Sequence, residues 1–355
     1  MHKFIFITKK ITCKPILCKN NRGYQKNNHG YFYIKLANLV HIKKVVLFFF
    51  FKDDNLPFLA YTVTMVFQSE VFKEFTAQNC NRYDFLCTLL TQEQIPFKTI
   101  LLNNKKHLYI QFSRQHYDGY FKTKTIIAHY DRAENTPGAN DNSAVIFQII
   151  EWIKKLQQSP LPHNIRIIFT DGEEITTGAQ NQGAFELANY FKKLNLINDD
   201  IIILDSCGRG DTLVISNTGI NLPHDALFTK KMHNLHNKLI DIAKNSTNQN
   251  WVTIPVPYGD NAGFIACGIP AIAITVLPKE EATSYMRQLQ KDKKFQDKVL
   301  SNSFSKLETS LQEKIPLTWR MMHTQEDTAE NLTKDAFLLM KKFLDKLAKD
   351  KEIAF

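Results

Sequence analysis

At 355 residues, with 44% hydrophobic and 23% charged side chains, the chain has the size and balance of a soluble enzyme built as one large α/β domain or two modest ones. Its net charge of +10 points first to nucleic acid, but residues 1–52 hold ten Lys, one Arg and no acid. The rest carries 34 basic against 35 acidic residues, so no basic groove is expected on the folded part and no nucleic-acid partner with it.

Residues 1–64 read as a basic leader, disordered or mis-assigned. The leader holds the apolar run 45–51, and after Lys52-Asp53-Asp54-Asn55 a second run covers 56–67. Neither approaches the ~20 apolar residues that span a bilayer, so no stable membrane insertion is expected. Ile5-Phe6-Ile7 is too short for a signal-peptide core, and Arg and Ser are too few for a transit peptide. We expect translation to begin at or near Met65, which the intact mass of the native protein checks. Cys13, Cys18, Cys80, Cys87, Cys207 and Cys267 form no CxxC pair. Cys207 and Cys267 lie in or beside strand-like segments, where a thiol acts as a small hydrophobe. A reducing, cytoplasmic location is the expectation.

Residues 65–355 read as one domain. A helix over 83–93 precedes a hairpin, 97–102 against 107–112, turning at Asn103-Asn104. From about residue 125, β-branched runs alternate with segments of 3.6-residue period, the pattern of a βα sheet. Strands are predicted at 125–129, 165–170, 201–205, 213–216 and 271–276. Helices are predicted at 142–156, 182–194, 225–243 and 329–348. The charged, helical stretch 279–316 interrupts this rhythm and reads as an insertion able to cover a site.

Three strands run directly into acids or histidines: 125–128 into His129-Tyr130-Asp131, 167–170 into Asp171-Gly172-Glu173-Glu174, and 201–204 into Asp205-Ser206. A fourth cluster, Pro137-Gly138-Ala139-Asn140-Asp141-Asn142-Ser143, opens the helix after the first strand. Singly, each has an ordinary explanation. Asp141 suits a helix cap, Glu173-Glu174 suits a first helical turn, and His129 suits a hydrogen-bonded structural histidine. Together they converge on the carboxyl edge of an open sheet, where such folds bind ligands. Zinc takes histidine nitrogen and carboxylate oxygen and, in catalytic sites, leaves a position for water. Two ions ~3.5–4 Å apart need a bridging carboxylate and two ligand groups. A second histidine completes such a set. His233 and His236, three apart on a helix without an acid nearby, read as surface residues.

The series His129-Tyr130-Asp131, Gly138 to Ala144, Asp171-Gly172-Glu173-Glu174, Leu204-Asp205 and Met322-His323-Thr324 with Asp327-Thr328 resembles the ordered motifs of the M28 metallopeptidases. The likeness spans roughly residues 70–350. It implies a three-layer α/β/α sandwich around a mixed, mainly parallel sheet, and a zinc aminopeptidase acting on peptide substrates. It further implies two Zn²⁺, one on His129 and Asp205, the other on Glu174 and His323, with Asp141 bridging. Glu173 would be the general base toward a metal-bridging water, Asp131 would orient His129, and a cis peptide would follow Asp141. Gly259-Asp260-Asn261 departs from the family's Ser-Asp-His, whereas Gly268-Ile269-Pro270-Ala271 matches. Tyr258 could polarise the tetrahedral intermediate or simply be packed. A glutaminyl-peptide cyclotransferase shares this series with one zinc on Asp141, Glu174 and His323. A non-catalytic binding domain on the same scaffold would be expected to lack ligands or base.

Overall fold

A computed structural model describes residues 24–26, 32–34, 66–175, 178–300 and 309–354. It separates into Met1–Asp54 and Asn55–Phe355. In the first unit the described residues are two short strands, β1 (Tyr24–Lys26) and β2 (Phe32–Ile34), paired antiparallel with Tyr24 opposite Ile34. The rest of the leader, Cys13, Cys18 and the start expected near Met65 lie outside the described residues.

The second unit is built on an eight-stranded sheet of order β3-β4-β6-β5-β7-β10-β8-β9. These strands are β3 (Phe97–Leu102), β4 (Lys105–Ile110), β5 (Lys124–His129), β6 (Ile165–Thr170), β7 (Asp200–Leu204), β8 (Thr212–Ser216), β9 (Trp251–Ile254) and β10 (Ala271–Leu277). The centre, β6-β5-β7-β10, is parallel, while β3-β4, β4-β6 and β10-β8 run antiparallel. The β3–β4 hairpin turns on Asn103 and Asn104, both at positive φ (42° and 70°), the conformation a two-residue hairpin loop demands.

Two apolar layers follow from the two-residue period of the strands. Ile126, Ala128, Ile167, Phe169, Ile202, Leu204, Ile272 and Ile274 face one core. It is filled by α1 (Glu70–Thr76), α2 (Arg82–Gln92), α3 (Ala144–Gln157), α5 (Ala226–Lys244) and α11 (Lys334–Lys349). The alternate residues Ile127, Ile168, Ile201, Ile203, Ala271 and Ala273 face a second core with α4 (Gly183–Lys193) and α6 (Asn261–Ala266). The result is the expected three-layer α/β/α sandwich around a mixed sheet. Among the described residues, no helix is long and apolar enough to cross a membrane.

Several expectations need correction. The edge strand β9 has no counterpart among the predicted strands, because it is only four residues long and is cut off by Pro255. The last helix begins at Lys334 rather than at 329. Thr333 holds the chain extended there, with its N–H on the Gly208 carbonyl (2.9 Å) and its hydroxyl bonded to Gly210 N–H (2.8 Å). His236 is not a surface residue: it is 8% exposed, its Nε2 2.9 Å from Thr253 Oγ1, whereas His233 is exposed. In the stretch 279–316, which holds α7 (Lys279–Lys291), α8 (Lys293–Leu300) and α9 (Thr309–Gln312), Ala282, Tyr285, Leu289 and Phe295 are buried against Val214, Ile254 and Trp319 at the β8–β9 edge. Glu281 accepts from the Thr318 amide (2.8 Å), so this segment anchors α10 (Leu317–Met321) just before His323.

Candidate metal centre

Because β6, β5 and β7 are adjacent and parallel, their carboxyl ends come together. In register His129 lies opposite Thr170, and Ile127 opposite Ile203, so His129, the loop after Thr170 and Asp205 emerge at one edge. Asp141 arrives from the turn between β5 and α3. Residues Ala139–Ser143 form a wide turn in which Asp141 and Asn142 leave helical geometry, which is why α3 starts at Ala144 rather than at 142. The Asp141–Asn142 peptide is cis, as expected. Gly138 opens the turn at φ 59°, and a Cβ there would sit 2.7 Å from the Asp141 carbonyl, so glycine is required.

Hydrogen bonds hold the turn from both sides. Asp327 accepts the amides of Asn140 (2.7 Å) and Asp141 (3.0 Å). Asn142 donates to the Leu204 carbonyl (2.9 Å) and accepts from the Ser206 amide (3.2 Å). Asp141 is thereby fixed between the end of β7 and the loop that carries His323.

All five residues expected as ligands meet here. Asp141 Oδ1 lies 3.1 Å from His129 Nε2, which is 3.7 Å from Asp205 Oδ1. Asp141 Oδ2 lies 3.2 Å from His323 Nε2, which is 3.0 Å from Glu174 Oε2. Two groups able to hold a cation therefore share one carboxylate, His129, Asp141 and Asp205 on one side and Asp141, Glu174 and His323 on the other, and a third group joins His129 to Glu173 and Glu174. Asp131 stands behind His129, with Oδ1 3.6 Å from Nδ1, and its carboxylate accepts the amides of Glu173 (3.3 Å) and Glu174 (3.1 Å). Gln182 donates to the Glu173 carbonyl (2.7 Å), fixing the other side of that loop.

The electrostatics identify what this cluster is suited to hold. His129 Nε2, Asp141 Oδ2 and Glu174 Oε1 are buried without a hydrogen-bond partner among the described residues. Such orphaned atoms are costly unless another partner binds them. The Asp141 and Glu174 carboxylates beside it push His323 up to about 11, although this ring is the exposed member of the set. Burial opposes charge on His129, yet Asp131, Asp141 and Asp205 carry it well above the usual histidine range. Burial, then the nearby Glu174, Asp205 and Asp260, raises Glu173 well above the usual glutamate range. The cluster is short of positive charge where its lone pairs converge. The donor set, imidazole nitrogen plus carboxylate oxygen, fits zinc-type ligation.

Tyr258 packs half-buried against the apolar core, with its hydroxyl 3.6 Å from where a Gly219 Cβ would lie. Two further residues belong to the site and have no role in the sequence reading. Asp260, 1% exposed, accepts from Thr170 Oγ1 (2.5 Å), and burial first, then Asp131 and Asp205, pushes it up to about 7. In the sequence it appears only as part of a departure from the family pattern. Arg82 has a fainter signal: a basic residue in the first turn of a helix opposes the macrodipole and so calls for another task.

Residues 117–347 match the profile of Peptidase family M28, well over half of the chain. No curated protein matches the chain. Among solved structures it is similar to the LapA aminopeptidase of Legionella pneumophila at 13% identity and TM-score 0.52, covering 90% of this chain and 81% of that one. It is similar to a glutaminyl cyclase of Porphyromonas gingivalis at 15% identity and TM-score 0.54, covering 82% and 97%. Similarity to BSAP, a zinc aminopeptidase from Bacillus subtilis, is at 16% identity and TM-score 0.44, covering 69% of this chain. The chain spans only about half, 49%, of that protein.

Proposed function

The chain belongs to peptidase family M28, and on that premise we propose that it is a zinc-dependent aminopeptidase whose centre is formed by His129, Asp141, Glu174, Asp205 and His323. The observation that carries this reading is the placement of Asp141, one oxygen toward His129 and Asp205, the other toward His323 and Glu174. A single carboxylate facing two histidines on opposite sides is the arrangement a two-ion site requires.

Bound zinc supplies a Lewis acid for the scissile carbonyl and lowers the pKa of water. The chain's own residues do the rest. Glu173 also lies within reach of His129 and Glu174, and on this reading it is not a ligand, its carboxylate being left for proton transfer. It takes the proton of the attacking water and returns it to the nitrogen of the leaving amine. Asp131 orients the His129 ring and, through the amides of Glu173 and Glu174, keeps base and ligand on one rigid loop. Tyr258 is the candidate for polarising the carbonyl oxygen as it gains charge.

The second reading is a single-zinc glutaminyl-peptide cyclotransferase using Asp141, Glu174 and His323. What favours it is that Asp141, Glu174 and His323 make a complete ligand group by themselves, with His323 Nε2 3.2 Å from Asp141 Oδ2 and 3.0 Å from Glu174 Oε2. Metal analysis together with two assays, aminoacyl-nitroanilide hydrolysis and N-terminal glutamine cyclisation, separates the readings. Two zincs with hydrolysis, lost on chelation and regained with zinc, is the expected result. One zinc with cyclisation overturns it. Glu173→Gln should keep its zinc while turnover falls at least ~10²-fold.

A further inference from the structure

Outside the ligand set, one buried cation reaches both of the loops that carry it. Arg82 opens α2 and is 5% exposed. Its Nη1 donates to the carbonyls of Tyr130 (3.1 Å) and Asp131 (3.2 Å). Its Nη2 donates to the carbonyls of Pro137 (2.9 Å) and Gly138 (3.2 Å) and to Ser143 Oγ (2.9 Å). Tyr130 and Asp131 directly follow His129, while Gly138 and Ser143 bracket Asp141. One guanidinium therefore grips the two segments that deliver the two sides of the His129–Asp141 contact.

The chemistry of the group matters here. A guanidinium is a planar fork whose donors keep a fixed spacing, so it can hold two sets of carbonyls at one separation. A lysine ammonium is a point with three donors and cannot reproduce that spacing. The fork is confined as well. The Phe75 ring lies 4.7 Å from the guanidinium carbon, and a Cβ on Gly138 would approach Nη2 to 2.9 Å. Arg132 reinforces the arrangement by donating to the carbonyls of Thr76 (2.9 Å), Ala77 (2.9 Å) and Gln78 (2.6 Å), which ties its loop to the end of α1.

We propose that Arg82 is a positioning residue of the metal centre, fixing the spacing of His129 and Asp141 through the backbone of the loops that bear them. This rests on the reading of that centre as a zinc site. It assigns the α1–α2 prelude, which supplies no ligand, a part in building the site.

The test uses the full chain as wild type, Arg82→Lys and Leu86→Ala, the last a fully buried core residue one turn along α2. Zinc stoichiometry and affinity are measured by chelator competition, and the melting temperature is measured on the metal-free protein. Arg82→Lys is expected to lower zinc affinity by about 10–100-fold, the cost typical of losing a group that orients ligands. Leu86→Ala is expected to lower the melting temperature while keeping wild-type affinity. In Arg82→Ala, methylguanidinium should restore zinc affinity and methylammonium should not. Where the Ala variant does not fold, the Lys variant carries the test. Wild-type affinity in Arg82→Lys, or an equal loss in Leu86→Ala, overturns the role of Arg82 and leaves the metal reading standing. A wild type that takes up no zinc overturns both.

Discussion

Gly259 offers the sharpest test of how tightly this site is drawn. A Cβ built on it would lie 3.1 Å from Asp205 Oδ2 and 3.4 Å from Glu173 Oε1. The second distance is ordinary contact, but the first is a few tenths of an ångström too close. The residue has no positive φ, so alanine is compatible with the backbone, and the strain falls on the Asp205 carboxylate rather than on the fold. Gly259→Ala should therefore leave stability within about 1 kcal/mol of wild type, since a compatible Gly→Ala change restricts only the unfolded chain. Function should respond far more. Catalytic groups must be held within ~0.5 Å, and a displacement of ~1 Å can cost ~10²-fold. We expect kcat/KM for an aminoacyl-nitroanilide to drop by about 10–100-fold, or about 1.4–2.7 kcal/mol of transition-state stabilisation. Thermal melting and zinc content are measured alongside. Full activity in a folded Gly259→Ala protein would refute the placement of Asp205 and Glu173 around this glycine.

Two other changes probe the supporting structure. Asp131→Asn replaces one acceptor oxygen facing the Glu173 and Glu174 amides with a donor and removes the charge behind His129. Zinc affinity by chelator competition should fall by about 10–100-fold, and unchanged affinity would dismiss that role. His163 is 4% exposed, stacked 4.9 Å from His116, and its Nδ1 accepts the Ile165 amide (3.0 Å). Burial first, then the charges of His116 and Lys124, lowers it to about 4. Since the unfolded chain binds that proton near pH 6.5, this contribution is complete above pH 6.5 and is lost as pH falls toward 4. The loss amounts to roughly 2 kcal/mol after allowance for screening. His163→Asn keeps an acceptor for the amide and cannot titrate. Urea denaturation across that range should show a correspondingly shallower acid slope, and an identical slope would contradict the reasoning.

Four of the five candidate ligands were legible because they follow strand ends or open the turn after β5, whereas His323 stood out only through the family resemblance. Runs such as Ile126-Ile127-Ala128 identify a buried parallel strand, and the polar residues that follow must then emerge at its carboxyl edge. Asn103-Asn104 specified its hairpin, and the Gly138–Ser143 segment announced a special turn. Arg82 and Asp260 were not legible as parts of the site. Arg82 works mainly through backbone carbonyls, which any sequence supplies, across separations of up to 56 positions. Asp260 acquires its character from burial beside Thr170, 90 positions away. Sequence alone determined the kinds of donor atom and the sheet edge from which they emerge, because local periodicity and turn chemistry act over a few residues. Tertiary structure alone decided that Asp141 faces both histidines and that one arginine spans its two supporting loops, because those distances exist only once strands and helices remote in the chain pack together.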